Sequence, residues 1–274
     1  MIIVEANGAR MPAIGFGTWD LPQERVQALV EHAIATGYRH VDTAQMYKNE
    51  REVGAGIKGS GVKRDDIFLT TKIWPDQFRS HELMRAADER LKLLGVDAVD
   101  LLLLHWPAKD VPLAETIEAL NAIRESGKAR HIGVSNFTAA MVDEAVRLSA
   151  APLVTNQVEY HPYLSQTKVM TALRRHGMAL TAYCPIARGK VLGDPVIGAV
   201  AEAHGRSATQ VTLRWLVQQE GVVAIPRSSN EARITENLGV FDFALSDAEM
   251  SRISALGSPT GRLVNGAFAP AWDA

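Results

Sequence analysis

Short apolar runs alternate along the chain with longer amphipathic stretches, and the pair recurs roughly every thirty residues, with Gly, Pro or Asp in between. Eight runs read as strands: "AIGFG", "YRHVD", "FLTTK", "VDLLLLH", "ARHIGVS", "VTNQVEY", "ALTAYCP" and "VVAIP". Two shorter runs precede them around Asn7-Gly8, a pair that favours a type I′ turn because both central residues accept positive φ, so an opening β-hairpin is expected. Between the runs, "QERVQALVEHAIATG" sets Val26, Leu29, Val30, Ala33 and Ile34 at helical spacing. "SHELMRAADERLKLLG" does the same with Leu83, Met84, Ala87, Leu91 and Leu94, and Ser80 and Gly95 read as its cap and stop. Strands apolar on both faces that alternate with helices call for a parallel sheet covered on its outside. Eight such units in 274 residues predict an α/β fold, a closed (β/α)8 TIM barrel with a short N-terminal β-hairpin, more than an open doubly wound sheet. No linker-like or low-complexity tract interrupts the pattern, so residues 1–274 are expected to form one domain.

The polar residues that break the apolar runs fall repeatedly at the ends of the predicted strands, the rim where barrels do their chemistry. Asp42 ends the second strand, Lys72 the third and His105 the fourth; Ser135 and Asn136 end the fifth, Gln157 and Glu159 lie in the sixth, and Tyr47 follows Asp42 on a loop. Taken singly, each has a plain structural reading, such as a helix cap, a solvated strand end or a packed core histidine. Four ionisable groups aimed at one mouth carry desolvation costs that packing alone does not need. Their chemistry is also coherent. A tyrosine with an ordinary pKa of about 10 becomes a proton donor near neutrality when a buried ammonium stabilises its phenolate. Lys72 supplies such a charge, Asp42 holds the lysine, and His105 can hydrogen-bond a carbonyl oxygen or share the proton. That is equipment for protonating a carbonyl oxygen while hydride arrives at carbon.

Composition narrows the partners. The 29 basic and 31 acidic residues are spread along the chain, which argues against nucleic acid and anionic membranes, and the longest apolar runs are too short to span a bilayer. The single cysteine, Cys184, cannot form an internal disulfide, and the opening "MIIVEANGARMP" lacks the features of a signal peptide. A cytoplasmic, monomeric protein is expected.

At these residues the chain resembles the aldo-keto reductase family over almost its whole length. "GFGTW", "GYRHVDTAQMYKNEREVG", "TTKIW", "LLLLHWP", "GVSNF", "NQVEYHPYL", "AYCP" and "AIPRSSNEARITENL" stand in the family's order and spacing. The resemblance implies a catalytic tetrad of Asp42, Tyr47, Lys72 and His105, with Tyr47 as the acid. It implies that Ser135, Asn136 and Gln157 hold a nicotinamide carboxamide, that Tyr183 stacks on its ring, and that Arg227, Ser228, Arg233 and Asn237 form the adenosine-phosphate site. NADPH is the implied cofactor, with NADH weaker, since Arg227 and Arg233 can grip a 2′-phosphate. Two positions depart from the family's habit: Cys184 stands where Ser is common, and Arg227 where Lys is. Trp19, Trp74 and Trp106, on loops after the first, third and fourth strands, and Trp272 in the tail are expected to line an apolar pocket. The ending "GRLVNGAFAPAWDA" and the short connections look most like bacterial members acting on 2,5-diketogluconate, methylglyoxal and β-keto esters.

Other motifs fare worse. "GAGIKG" spells G-x-G-x-x-G but neither follows a strand nor opens a helix, so its glycines are expected to loosen and end a short helix. "GVSNF" lacks the last glycine of a nucleophile elbow, and "HVD" alone does not make an iron triad, so no metal is expected. Two other functions fit the residues. A Schiff-base lyase would use Lys72 as its amine, and a cofactor-sensing module would keep the reductase fold without turnover.

Overall fold

A computed structural model describes residues 2–273. The chain opens with strands β1 (Ile3–Ala6) and β2 (Ala9–Pro12), paired antiparallel through a turn in which Asn7 and Gly8 both take positive φ, as the Asn-Gly pair predicts. Eight parallel strands follow: β3 (Phe16–Gly17), β4 (His40–Asp42), β5 (Phe68–Ile73), β6 (Val99–Leu104), β7 (Ala129–Ser135), β8 (Leu153–Glu159), β9 (Ala179–Tyr183) and β10 (Val222–Ala224). Each overlaps one of the eight apolar runs. They pair in sequence order, and a parallel bridge between Ile14 and Ala224 joins the last strand to the first, closing the (β/α)8 barrel. At that seam the Gly15 and Gly17 amides donate to the carbonyls of Ala224 and Pro226. The hairpin covers the barrel's floor, since the Asn7 amide donates to the carbonyls of Leu153, at the start of β8, and of His176.

Among the described residues ten α-helices accompany the strands: α1 (Val26–Thr36), α2 (Glu50–Gly59), α3 (Ser80–Leu94), α4 (Leu113–Glu125), α5 (Ala139–Leu148), α6 (Thr167–Arg175), α7 (Pro195–His204), α8 (Ala208–Val217), α9 (Glu231–Leu238) and α10 (Asp247–Ser254). In α1 the buried residues are the five the spacing selected. In α3, Leu83, Ala87 and Leu94 are buried while Met84 and Leu91 are only partly so. Gly95 stops α3 in the left-handed conformation as expected, but Ser80 is not its cap. Arg79 takes the cap position, and the Ser80 amide is satisfied instead by Glu115 Oε1.

The glycines of "GAGIKG" lie inside α2, and they serve close packing. A Cβ on Gly54 would sit 2.1 Å from the carbonyl oxygen of Leu94, and one on Gly56 would sit 2.7 Å from Val30 Cβ. The missing side chains thus let α2 wedge between α1 and α3, where a sequence window sees only weak helix formers. A Gly54→Ala variant should lose about 2 kcal/mol net, because overpacking against backbone costs ~3 kcal/mol and alanine returns ~1 kcal/mol of helix propensity. A denaturant midpoint at or above wild type would show that the helices can shift apart.

Candidate active site

β4 and β5 carry Asp42 and Lys72 to one end of the barrel, where Cβ directions alternate and both side chains face inward. Lys72 Nζ is fully buried and donates to Asp42 Oδ1 at 2.5 Å, to the Thr43 carbonyl at 2.9 Å and to the Tyr47 hydroxyl at 3.2 Å. Tyr47 ends a 3-10 turn from Gln45 to Tyr47, followed by Lys48 in the left-handed region. That turn is pinned from two sides. Gln45 accepts from the Trp74 amide and donates to Gln77, and Asn49 links the Thr43 hydroxyl to the Thr18 carbonyl. His105, just past β6, faces the Tyr47 ring edge-on at 5.8 Å between centroids.

Charge is sparing here. Burial pulls the Lys72 ammonium below the ordinary lysine range, and the Asp42 carboxylate works against that pull. Burial, with Asp42 next, pushes the Tyr47 phenol well above 10, so it stands as a neutral proton carrier at neutral pH. Burial and then Lys72 hold His105 well below 6.5, which makes it a neutral imidazole, and its buried Nδ1 has no hydrogen-bond partner among the described residues. The expectation that a nearby ammonium would bring the phenol's pKa down is therefore not met here, because desolvation is the larger effect.

The next polar group adjoins this one. Gln157, on β8, donates from Nε2 to Asp42 Oδ2 at 2.8 Å; a carboxylate only accepts, so the amide oxygen is left as the outward end. Ser135 Oγ donates to the Gln157 carbonyl, Asn136 donates to the His105 carbonyl, and the Tyr183 hydroxyl donates to Asn136 Oδ1 at 2.8 Å. Asn136 takes a φ of 63°, which turns its amide toward this cluster. The structure thus brings together eight side chains, from β4, β5, β7, β8 and β9 and from the segments after β4, β6 and β7, and Tyr183 remains half-buried at the edge. A groove of about 800 Å³ under the floor, whose lining includes Val4, Glu5, Met170, Leu180, Arg214 and Val222, contains none of them.

Past β10, Arg227 pairs with Asp20 at 2.8 Å across the seam, and Asn230 caps α9 by accepting from the Arg233 amide. Ser228 bonds within the turn to Asn230, Asn237 is buried on α9, and the Arg233 guanidinium is exposed with no protein partner among the described residues. The aromatic wall differs from expectation. Trp74 meets His105 edge-on at 5.2 Å, and Trp106 contacts Trp272 at 6.0 Å, but Trp19 is 40% exposed and makes no ring contact with them. Phe268, a tail residue that sequence reasoning passed over, lies between Trp74 at 5.4 Å and Trp106 at 4.7 Å. Among the described residues, no group of three His, Cys, Asp or Glu side chains is placed to hold a metal ion, and no helix is long and apolar enough to cross a membrane.

Residues 13–258 match the model of the aldo/keto reductase family. The chain belongs to this family. Among curated relatives, morphine 6-dehydrogenase of Pseudomonas putida is 44% identical, with 91% of this chain and 89% of that protein covered. Glyoxal reductase of Bacillus subtilis is 41% identical, covering 91% and 90%. Among solved structures, a protein described as a candidate 2,5-diketo-D-gluconic acid reductase B superposes with a TM-score of 0.98 at 52% identity, covering 99% of this chain and 97% of that one. A Bombyx mori aldo-keto reductase in complex with NADP gives 0.90 at 32% identity, covering 97% and 95%. As an aldo/keto reductase the chain is an NADP-dependent oxidoreductase.

Proposed function

We propose that this reductase converts aldehydes and activated ketones to alcohols with NADPH, by direct hydride transfer with Tyr47 as general acid. Small dicarbonyls such as methylglyoxal, 2,5-diketogluconate and β-keto esters are its substrate class. The observation that carries the reading is the meeting of Asp42, Lys72 and the Tyr47 hydroxyl at one buried point beside His105. A neutral Tyr47 gives its proton to the carbonyl oxygen, and the Lys72 ammonium at 3.2 Å stabilises the phenolate left behind. Asp42 keeps that ammonium in place. His105, being neutral, can hydrogen-bond the carbonyl oxygen without competing for the negative charge.

The residues present fit the cofactor. The outward oxygen of Gln157, together with Ser135 and Asn136, offers a carboxamide both acceptors and donors, and the half-buried Tyr183 presents a ring for stacking. When bound, the nicotinamide supplies the hydride. Arg227, Ser228, Arg233 and Asn237 would hold the adenosine end. The tetrad comes entirely from one chain, which fits a monomer, and the free Cys184 fits a reducing cytoplasm. Lys72 is enclosed by three oxygen partners and fully buried, an arrangement that disfavours it as the nucleophile of a lyase. The test is NADPH consumption with a panel of small carbonyls, NADH run in parallel. No turnover of any dicarbonyl would sink the reading and leave the cofactor-sensing alternative.

Cofactor choice gives a separate prediction. Among the described residues the Arg233 side chain is unpaired and Arg227 is shared only with exposed Asp20, a partnership worth about 0–1 kcal/mol that a phosphate can displace. A charge-assisted bond to the 2′-phosphate at ~1.5–3 kcal/mol makes Arg233→Ala weaken NADPH about 10- to 150-fold while sparing NADH. Fluorescence titration in low and high salt reads both constants, and salt should narrow the gap. Equal losses for the two cofactors would remove Arg233 from this role.

A further inference from the structure

Glu159 is assigned no part in the chemistry above, yet it is among the most enclosed charges in the molecule. It lies on β8 two residues beyond Gln157, so the two side chains leave the strand on the same face, and it pairs in register with Tyr183. Its exposure is 0%, and a carboxylate without water needs donors or a counter-charge. Two of the donors come from far along the chain. The Leu263 amide donates to Oε1 at 2.7 Å and the Val264 amide to Oε2 at 2.9 Å. His161 Nε2 lies 3.0 Å from Oε1, and the Arg262 guanidinium 3.9 Å from Oε2.

From that grip the tail crosses the mouth of the barrel. Arg262 lies over the Trp272 ring, 3.5 Å from its centre, and Phe268 wedges between Trp74 and Trp106. Trp74 in turn stands against His105, and His105 against Tyr47. Two other ties hold the tail, from Lys109 Nζ to the Ala267 carbonyl and from the Ala139 amide to Asp273 Oδ2. Neither has a fully buried charge at its centre, so neither penalises release as Glu159 does.

We propose that Glu159 is a positioning residue: its carboxylate clamps the tail by the Leu263 and Val264 amides and thereby sets Phe268 and Trp272 over the substrate mouth. The proposal rests on the reductase reading for what the mouth admits. Glu159→Gln keeps one accepting oxygen and turns an NH2 toward the second tail amide, so one of the two grips is lost. KM for a small dicarbonyl should rise at least about tenfold, the equivalent of one lost charge-assisted bond, while kcat stays within about twofold. A chain ending at Gly261 should show a similarly raised KM, and adding Glu159→Gln to it should change KM no further.

An unchanged KM in Glu159→Gln, a fall in kcat alone, or a further KM rise of the same size when Glu159→Gln is added to the shortened chain would each overturn the proposal. Hydrogen exchange on the unaltered full chain needs no variant and no turnover. The Leu263 and Val264 amides should exchange at least about tenfold more slowly than the Phe268 amide. Comparable rates would show that the clamp does not hold. Failure of the reductase reading is told apart by its own sign, absence of NADPH-linked turnover in the unaltered protein.

Discussion

A Tyr47→Phe variant is expected to fold normally, to bind NADPH as the unaltered chain does, and to turn over a small dicarbonyl about 10²- to 10⁴-fold more slowly. The substitution removes one hydroxyl from a half-buried ring whose only hydrogen bond among the described residues is the one from Lys72. The ring keeps its edge-on contact with His105, so the pocket retains its shape. What goes is the proton. His105 is neutral and desolvated, a poor substitute as acid, and Lys72 is committed to Asp42 and Thr43. Single-turnover measurements at saturating substrate isolate the chemical step; a rate near that of the unaltered enzyme there would remove Tyr47 from the acid's place.

Lys72→Met should cost both activity and stability. Methionine fills similar length but donates nothing, so Asp42, fully enclosed, keeps Gln157 as its remaining side-chain donor. Stripping one partner from a buried ion pair costs about 3–5 kcal/mol. Adding Asp42→Asn should return much of that loss in stability, because a neutral amide needs no counter-charge, while the lost activity does not return. Denaturant midpoints of the four proteins complete the cycle. If the two losses simply add, the pair is not coupled. Any residual reductive activity should have its alkaline limb moved to higher pH, since burial already holds Tyr47 above its usual range and the phenolate has lost its cation.

The architecture was legible because its signals are local. Strands such as β5 and β6 are runs buried on both faces, and α1 buries the five residues its spacing marked. That Asp42, Lys72 and His105 meet at one end of the barrel could be read for the same reason, since all three stand at the ends of such runs. What escaped depends on contacts between distant parts of the chain. Ser80 looks like a cap, but Glu115 satisfies its amide and Arg79 takes the position. Gly54 looks like a helix weakness until the Leu94 carbonyl is set against it. Glu159 and Phe268 gain their places only when the tail folds back across the barrel, more than a hundred residues from β8. Trp19 shared a loop position with the other tryptophans but not their surroundings. The phenol's upward shift was missed because desolvation is set by packing depth, which no motif records.

The hairpin over the barrel floor bears on how the enzyme is recharged. Every reduction uses up one proton, which water must replace before the next cycle. With β1 and β2 fastened across the bottom at Leu153 and His176, the described residues fill the barrel with layers of buried side chains between Lys72 and the solvent below. Resupply must come through the mouth, the same opening that admits the carbonyl and releases the alcohol. Product departure and reprotonation therefore share one doorway, and whatever stands in that doorway delays both.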